Sequence, residues 1–153
     1  MPRLVEQIEV ARRPIDLFRL CHDVDRRAEW DERVTRVQVL TRRPVRSGSV
    51  VRVDTRPPAG SVFSWEGEVV DYSFPGSSRV EVIDAAPSSY FVTGSEEWRF
   101  ETSNTGTLFT LTWDYQPGGL IGRVADVLIR RGNIRRAIKQ SLENLKALAE
   151  AET

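Results

Sequence analysis

The sequence predicts an α+β fold: a seven-stranded curved antiparallel sheet around one long C-terminal helix, with two short helices after the first strand. Three observations predict it. Apolar residues recur at three-and-four spacing through 118–150, the period of an amphipathic helix. Ahead of that helix, segments of alternating polarity are separated by short clusters of Gly, Pro, Ser and Asn. The alternation gathers aromatic rings on one face of those segments.

Leu4, Val5, Ile8 and Val10 predict a first strand at 3–12. Pro14 suits the first position of a helix over 14–21, with Asp16 in the opening turn, where the helix dipole favours an acid. Asp23 is placed to cap a second short helix ending near Glu29 or Trp30. Both are too short to persist alone, so packing must hold them. Six further strands are expected at 34–42, 48–56, 61–73, 78–84, 89–101 and 105–115, joined by PVRSG, RPPAGS, SFPGSS, DAAPSS and ETSNTG. Connections this short leave no room for crossover helices, so neighbours must be antiparallel. PGG at 117–119 ends the last strand and opens the long helix.

Period-two alternation assigns faces. Phe63, Trp65, Gly67 and Val69 share one, as do Tyr90, Val92, Gly94, Glu96, Trp98 and Phe100, and Thr107, Phe109, Leu111, Trp113 and Tyr115. The helix offers Leu120, Ile121, Val124, Ala125, Leu128, Ile129, Ile134, Ala137, Ile138, Leu142, Leu145, Leu148 and Ala149. Thirty helical residues reach roughly 45 Å, but the rod is only about 10 Å wide, so the sheet must curl around it. Curled sheets carrying bulky side chains readily leave a cavity. Gly132–Asn133 interrupts the stripe and marks an expected kink or looser turn; Gly118, Gly119 and Gly122 point to close approach or flexibility at a pocket mouth.

A chain of 153 residues fits one domain over 1–153. No run approaches the roughly 20 apolar residues that span a bilayer, and MPRLVEQIEV lacks a signal-like apolar core, so a cytoplasmic location is expected. With Cys21 and His22 as the only cysteine and histidine, neither a disulfide nor a Cys- or His-rich metal site is available, and no cofactor is implied. Net charge is zero but uneven: +4 over 1–56, −7 over 57–115 and +3 over 116–153. Arg123, Arg130, Arg131, Arg135, Arg136 and Lys139 form a basic helix face, read as solvated; the acidic middle argues against strong nucleic-acid binding.

Order and local motifs together carry a resemblance. DVDRRAEWDERV at 23–34, GTLFTLTWDY at 106–115 and PGGLIGRVADVLIRR at 117–131 resemble elements of the START-like, helix-grip superfamily of polyketide cyclases/dehydrases and lipid-transport proteins (SRPBCC), which also holds the Bet v 1-like pollen allergens. The likeness covers about 3–150 and departs at Ala28 and Glu32, where the family commonly has proline. It implies a cavity between sheet and helix for a lipid, polyketide or isoprenoid, in a family of both enzymes and carriers.

Trp65, Trp98 and Trp113 fall on the covered face, either filling the core or lining a pocket; Phe109 joins them, and Val124 and Leu128 oppose them from the helix. Tyr90 and Tyr115 would add hydroxyls. Glu96 is the odd carboxylate in an apolar row, and is either a general base and ligand acceptor or a strand-end residue turned to solvent. Asp71 shares parity with Trp65 but sits near a strand end, where exposure is expected; Arg52 should point outward and Trp30 should plug the junction of short helices and sheet. Cys21 and His22 are adjacent and do not face each other on a helix, and no GxSxG, GxGxxG or GxxxxGK run exists. The preferred expectation is a binder that shields or delivers a hydrophobic small molecule. The rivals are a cyclase or dehydratase using Glu96, Tyr90 or Tyr115, and an interaction module working through the basic helix.

Overall fold

The computed structural model describes residues 2–56 and 62–152. Most of the expected RPPAGS turn, and the start of the strand placed at 61–73, lies outside them. The elements run β1 (Arg3–Val10), α1 (Pro14–Cys21), a 3-10 turn (Val24–Arg26), α2 (Arg27–Trp30), β2 (Val34–Val39), β3 (Val50–Thr55), β4 (Phe63–Ser73), β5 (Ser77–Ala85), β6 (Phe91–Thr102) and β7 (Thr107–Pro117). After these come α3 (Gly119–Ala125), a π-helical turn (Asp126–Arg130) and α4 (Arg131–Ala151). This is the helix-grip architecture the alternation and the terminal stripe predict.

The sheet order is β1-β7-β6-β5-β4-β3-β2, antiparallel throughout. Strands β1 and β2 are therefore opposite edges, and the segment holding α1 and α2 must cross the full width of the sheet to join them. Asp23 caps the turn between the two helices by accepting from the Asp25 N–H at 3.2 Å. Bulges help the sheet curl. In β4 the register steps from Val69↔Val80 to Asp71↔Arg79, so Val70 is an extra residue. That step, more than nearness to a strand end, turns Asp71 out and brings Tyr72 in against Phe18, 5.2 Å between rings.

A second bulge corrects the face assigned to the start of β6. Register shifts between Phe91 and Thr93, so Phe91 is buried and Val92, expected inside, is 61% exposed. From Gly94 onward the expected alternation holds, with Glu96, Trp98 and Phe100 inward. Strand β7 alternates without a break, burying Thr107, Phe109, Leu111, Trp113 and Tyr115.

The interior has two compartments. The larger is aromatic, formed by α1, Trp30, β1, β6, β7 and α4; the smaller is a valine cluster of Val34, Val37, Val51 and Val53 on β2 and β3. Trp65 packs against both and marks the seam.

Helix α4 buries Ile134, Ile138, Leu142, Leu145 and Ala149 as its phase requires. Its C-terminal end is closed by side chains: Arg12 Nη1 donates to the Ala149 carbonyl at 2.8 Å, while Lys146 Nζ donates to the Glu9 carbonyl at 3.0 Å, tying the helix to β1. The first half of the stripe behaves differently. Leu120, Ile121, Val124, Val127, Leu128 and Ile129 are all exposed. The wider π turn adds one residue and rotates everything before it by about one position, roughly 100°. Ala125 and Asp126 consequently turn toward the body of the protein and the aliphatic residues face away. The disruption of the stripe thus lies before Gly132, at 126–130. Gly119, at φ +66°, starts α3 in a conformation that side-chain-bearing residues seldom adopt.

Chemical denaturation separates the two halves of the helix. Ile138→Ala should cost about 2–5 kcal/mol, as expected for a buried aliphatic truncation. Leu128→Ala should stay within about 0.5 kcal/mol, because the side chain is already in water.

Candidate functional site

The inward residues of β4 and β6 face α2 and the start of β2 across the seam. Here Glu96 meets a cluster of buried charge. Its Oε1 accepts from Arg33 Nη1 at 2.7 Å, and its Oε2 accepts from Trp98 Nε1 at 2.8 Å, Arg33 Nη2 at 3.2 Å and Arg27 Nη2 at 3.3 Å. Asp31, fully buried, accepts from Arg27 Nε at 2.8 Å and from Arg33 Nη2 at 3.0 Å. Two guanidiniums and two carboxylates thus neutralise one another inside the protein. Burial would push the Asp31 carboxyl up, but Arg33 and Arg27 outweigh it and hold the group well below the usual carboxylate range. Burial alone would favour loss of the Arg33 proton; Asp31 and Glu96 reverse that and keep the guanidinium charged.

The solvent-turned reading of Glu96 is thereby overturned: it points inward and is nearly buried. The sequence carries one clue to its partners, since an inward acid demands a buried base. Arg27 and Arg33 lie 69 and 63 residues away from it, however, and only the fold brings them there.

Two cavities flank this cluster. The smaller encloses about 430 Å³ of empty space, open mouth included, and the larger about 630 Å³. Only about 30 and 60 Å³ of these admit the centre of a water molecule, so both are narrow. They share Arg27, Val53, Trp65 and Glu96 as a partition. Tyr90, Phe91, Phe63, Trp113 and Arg33 complete much of the smaller cavity. The larger has valines from β2–β5 on one side and His22, Ser78 and Trp98 on the other.

Of the residues expected to touch a ligand, Trp65, Tyr90, Glu96, Trp98 and Trp113 line these cavities. Phe109 does not: it is sealed in the core against Phe100 and Trp98, at 5.1 and 6.1 Å between rings. Tyr115 is also sealed, its hydroxyl donated to Asp126 Oδ1, while Asp126 Oδ2 accepts from Arg131 Nη2 at 2.8 Å. Val124 and Leu128 stand outside both cavities because the π turn directs them away. Arg52 points outward as expected, toward Asp54 and Ser64. Trp30 is fully buried at the junction expected for it, with Arg27 stacked over its ring at 5.2 Å.

Tyr90 is better placed for chemistry than Tyr115. Its oxygen accepts from Trp113 Nε1 at 3.1 Å, which leaves its own proton to donate. Burial pushes its phenol up, so it stays protonated. Gly67 and Gly94 make room for the indoles: a β-carbon would meet Trp65 Cζ3 at 2.6 Å at the first, and Trp113 Cη2 at 2.7 Å at the second. His22 has no catalytic partner legible in the sequence, yet it reaches the larger cavity. Its Nδ1 lies 2.7 Å from the Phe18 carbonyl and its Nε2 lies 2.7 Å from Ser78 Oγ. Burial depresses its pKa, to about 4. The neighbouring Cys21 thiol is buried and pushed up by that burial, so it is no nucleophile.

A curved sheet gripping a helix over cavities of this kind defines a ligand-holding class of protein. The chain belongs to the polyketide cyclase / dehydrase and lipid transport family, which matches residues 1–150. No curated protein matches the sequence. Solved structures share the fold at low identity. A protein from Thermus thermophilus is 17% identical with TM-score 0.82, covering 99% of each chain. The ZhuI aromatase/cyclase from Streptomyces sp. R1128 is 20% identical with TM-score 0.80, covering 97% of this chain and 93% of its own. Ginseng major latex-like protein 151 from Panax ginseng is 13% identical with TM-score 0.74, covering 97% of each. Among the described residues no helix is long and apolar enough to cross a membrane.

Two outcomes follow from this geometry. His22 binds a proton less readily folded than unfolded, where its pKa is near 6.5. The unfolded state therefore takes up protons first, and stability should fall by about 3 kcal/mol as pH drops from 6.5 to 4. Asp31 remains ionised through that window and adds its own loss only below about pH 4. Urea midpoints measured against pH should show the upper step in the wild type and not in His22→Gln. Separately, Gly94→Ala should drive the Trp113 ring toward the smaller cavity and cost about 1–3 kcal/mol by overpacking, read as a lowered melting temperature with a changed near-UV spectrum.

Proposed function

We propose that this protein binds a hydrophobic or amphipathic small molecule of lipid, polyketide or isoprenoid character between its sheet and helices, acting in the cytoplasm as a single domain that shields or delivers it. The observation that carries this reading is the pair of adjoining cavities, walled by aromatic rings and valines and divided by Trp65 beside a charge-balanced cluster. Burying an apolar ligand there gains roughly 25 cal/mol per Å² of surface removed from water. As they stand the cavities are too narrow for such a ligand. Binding therefore needs Trp65 to swing from the seam and join them. Trp65 sits among Phe91 and Trp113, at 6.3 and 6.5 Å between rings, so its displacement changes an optical reporter already in place.

Tryptophan fluorescence titrated with fatty acids, flat polyphenols and prenols should show saturable quenching by at least one class, with a loss of that response in Trp65→Phe. No saturable response to any of them, and no small molecule co-purifying by mass spectrometry, would sink the reading.

One observation favours a second reading, a cyclase or dehydratase acting on a polyketide-like chain. The Tyr90 hydroxyl and the Arg33 and Arg27 guanidiniums face the same small cavity, where a donor and positive charge would stabilise an enolising carbonyl. Glu96 is a poor base in this arrangement, since both its oxygens already accept from arginine or tryptophan. On a substrate that turns over, Tyr90→Phe should lower kcat by about 10²-fold or more. Glu96→Gln should act chiefly through stability, by about 3–5 kcal/mol, because two buried arginines are then balanced by Asp31 alone.

A further inference from the structure

We propose that the larger cavity carries a hydroxyl-recognition site formed by Ser78 and His22, which selects ligands presenting a donor hydroxyl at that end. The inference rests on the ligand-binding reading above and specifies the ligand's chemistry.

The proton positions follow from the partners. The Phe18 carbonyl can only accept, so the His22 ring must carry its proton on Nδ1, 2.7 Å away. In the neutral ring Nε2 is then an acceptor, and Ser78 must donate its hydroxyl proton to it across 2.7 Å. Burial keeps the ring neutral near physiological pH, so this polarity does not invert. With its proton spent, Ser78 Oγ presents only lone pairs, and among the described residues nothing donates to them. The residue is 5% exposed yet lines the cavity.

The pair is held rigidly. The His22 ring stacks on Phe18 at 4.0 Å and meets Trp98 edge-on at 5.0 Å. Around it the wall is Val51, Val69 and Val80, where a further aliphatic side chain would cost less to bury than a serine–histidine pair. The other polar end of the cavity is Arg27 and Glu96, which already satisfy each other and Asp31. The unmet acceptor at Ser78 is what a ligand must answer. A hydroxyl does so; a methyl group of the same size leaves the oxygen desolvated and unpaired. The dyad is not a hydrolytic one: a carbonyl, not a carboxylate, orients the ring, and its low basicity suits an acceptor more than a proton-abstracting base.

The test compares 2-naphthol with its isostere 2-methylnaphthalene by calorimetric titration of the full chain. The naphthol-to-methylnaphthalene affinity ratio should fall about tenfold in Ser78→Ala and survive in Ser78→Thr, which keeps the hydroxyl. Near-UV circular dichroism checks that both variants are folded. If the two probes bind the wild type and the ratio is unchanged in Ser78→Ala, the hydroxyl site is overturned while the ligand-binding reading stands. If neither probe binds the wild type and no other apolar compound does, the ligand-binding reading fails and takes the hydroxyl site with it.

Discussion

Everything in the seam depends on four buried charges that cancel. Arg27 on α2, Asp31 and Arg33 on the segment leading into β2, and Glu96 on β6 occupy one interior point, and each is held by at least two others or by a pair of bonds to one. Four such ions isolated from water would be prohibitively expensive; together they leave no net charge and few unused lone pairs. The cluster also reaches the terminal helix. The Glu32 N–H donates to Ser141 Oγ at 2.8 Å, and Asn144 Nδ2 donates to Glu32 Oε1 at 2.8 Å. The α2 segment, too short to be a helix on its own, is therefore fixed between sheet and α4, and with it the Arg27–Glu96 part of the wall between the two cavities.

That wall explains why aromatic bulk does not simply close the interior. On the β6–β7 side, Phe109 and Phe100 pack against one another, α1 and the inner side of Trp98. On the β2–β3 side the rings give way to valines, which are shorter and branched at Cβ and do not reach across the same gap. The empty space lies where long meets short, and the charged cluster keeps the gap from collapsing. Sequence alternation places Trp65, Trp98, Phe109 and Trp113 on one surface; this difference in side-chain reach leaves the three indoles at a cavity and Phe109 in packed core.

The order of elements, the antiparallel pairing and most inward faces are legible from period and turn chemistry alone, because both are local. Departures occur where one residue more or less changes phase. Val92 and Phe91 exchange faces at a bulge, and Val124 and Leu128 leave the interior at a π turn. Neither irregularity has a signature in residue type strong enough to read. The polar half of the site is illegible for another reason. Arg33 meets Glu96, and His22 meets Ser78, across 63 and 56 positions of chain, and nothing in the intervening residues announces such meetings. The odd carboxylate among rings is visible in the sequence; the identity of its partners is not.

The π turn also works as a gear. Asp126 anchors it from inside, clasped by Tyr115 and Arg131, so a buried carboxylate holds the widened turn in place. Winding the same residues as regular α-helix would swing Leu120, Val124 and Val127 back over the protein and carry Asp126 toward water. In this chain, then, the greasiness of the outer surface near the helix start is governed by how widely that one turn is wound, and one acid under β7 holds it open.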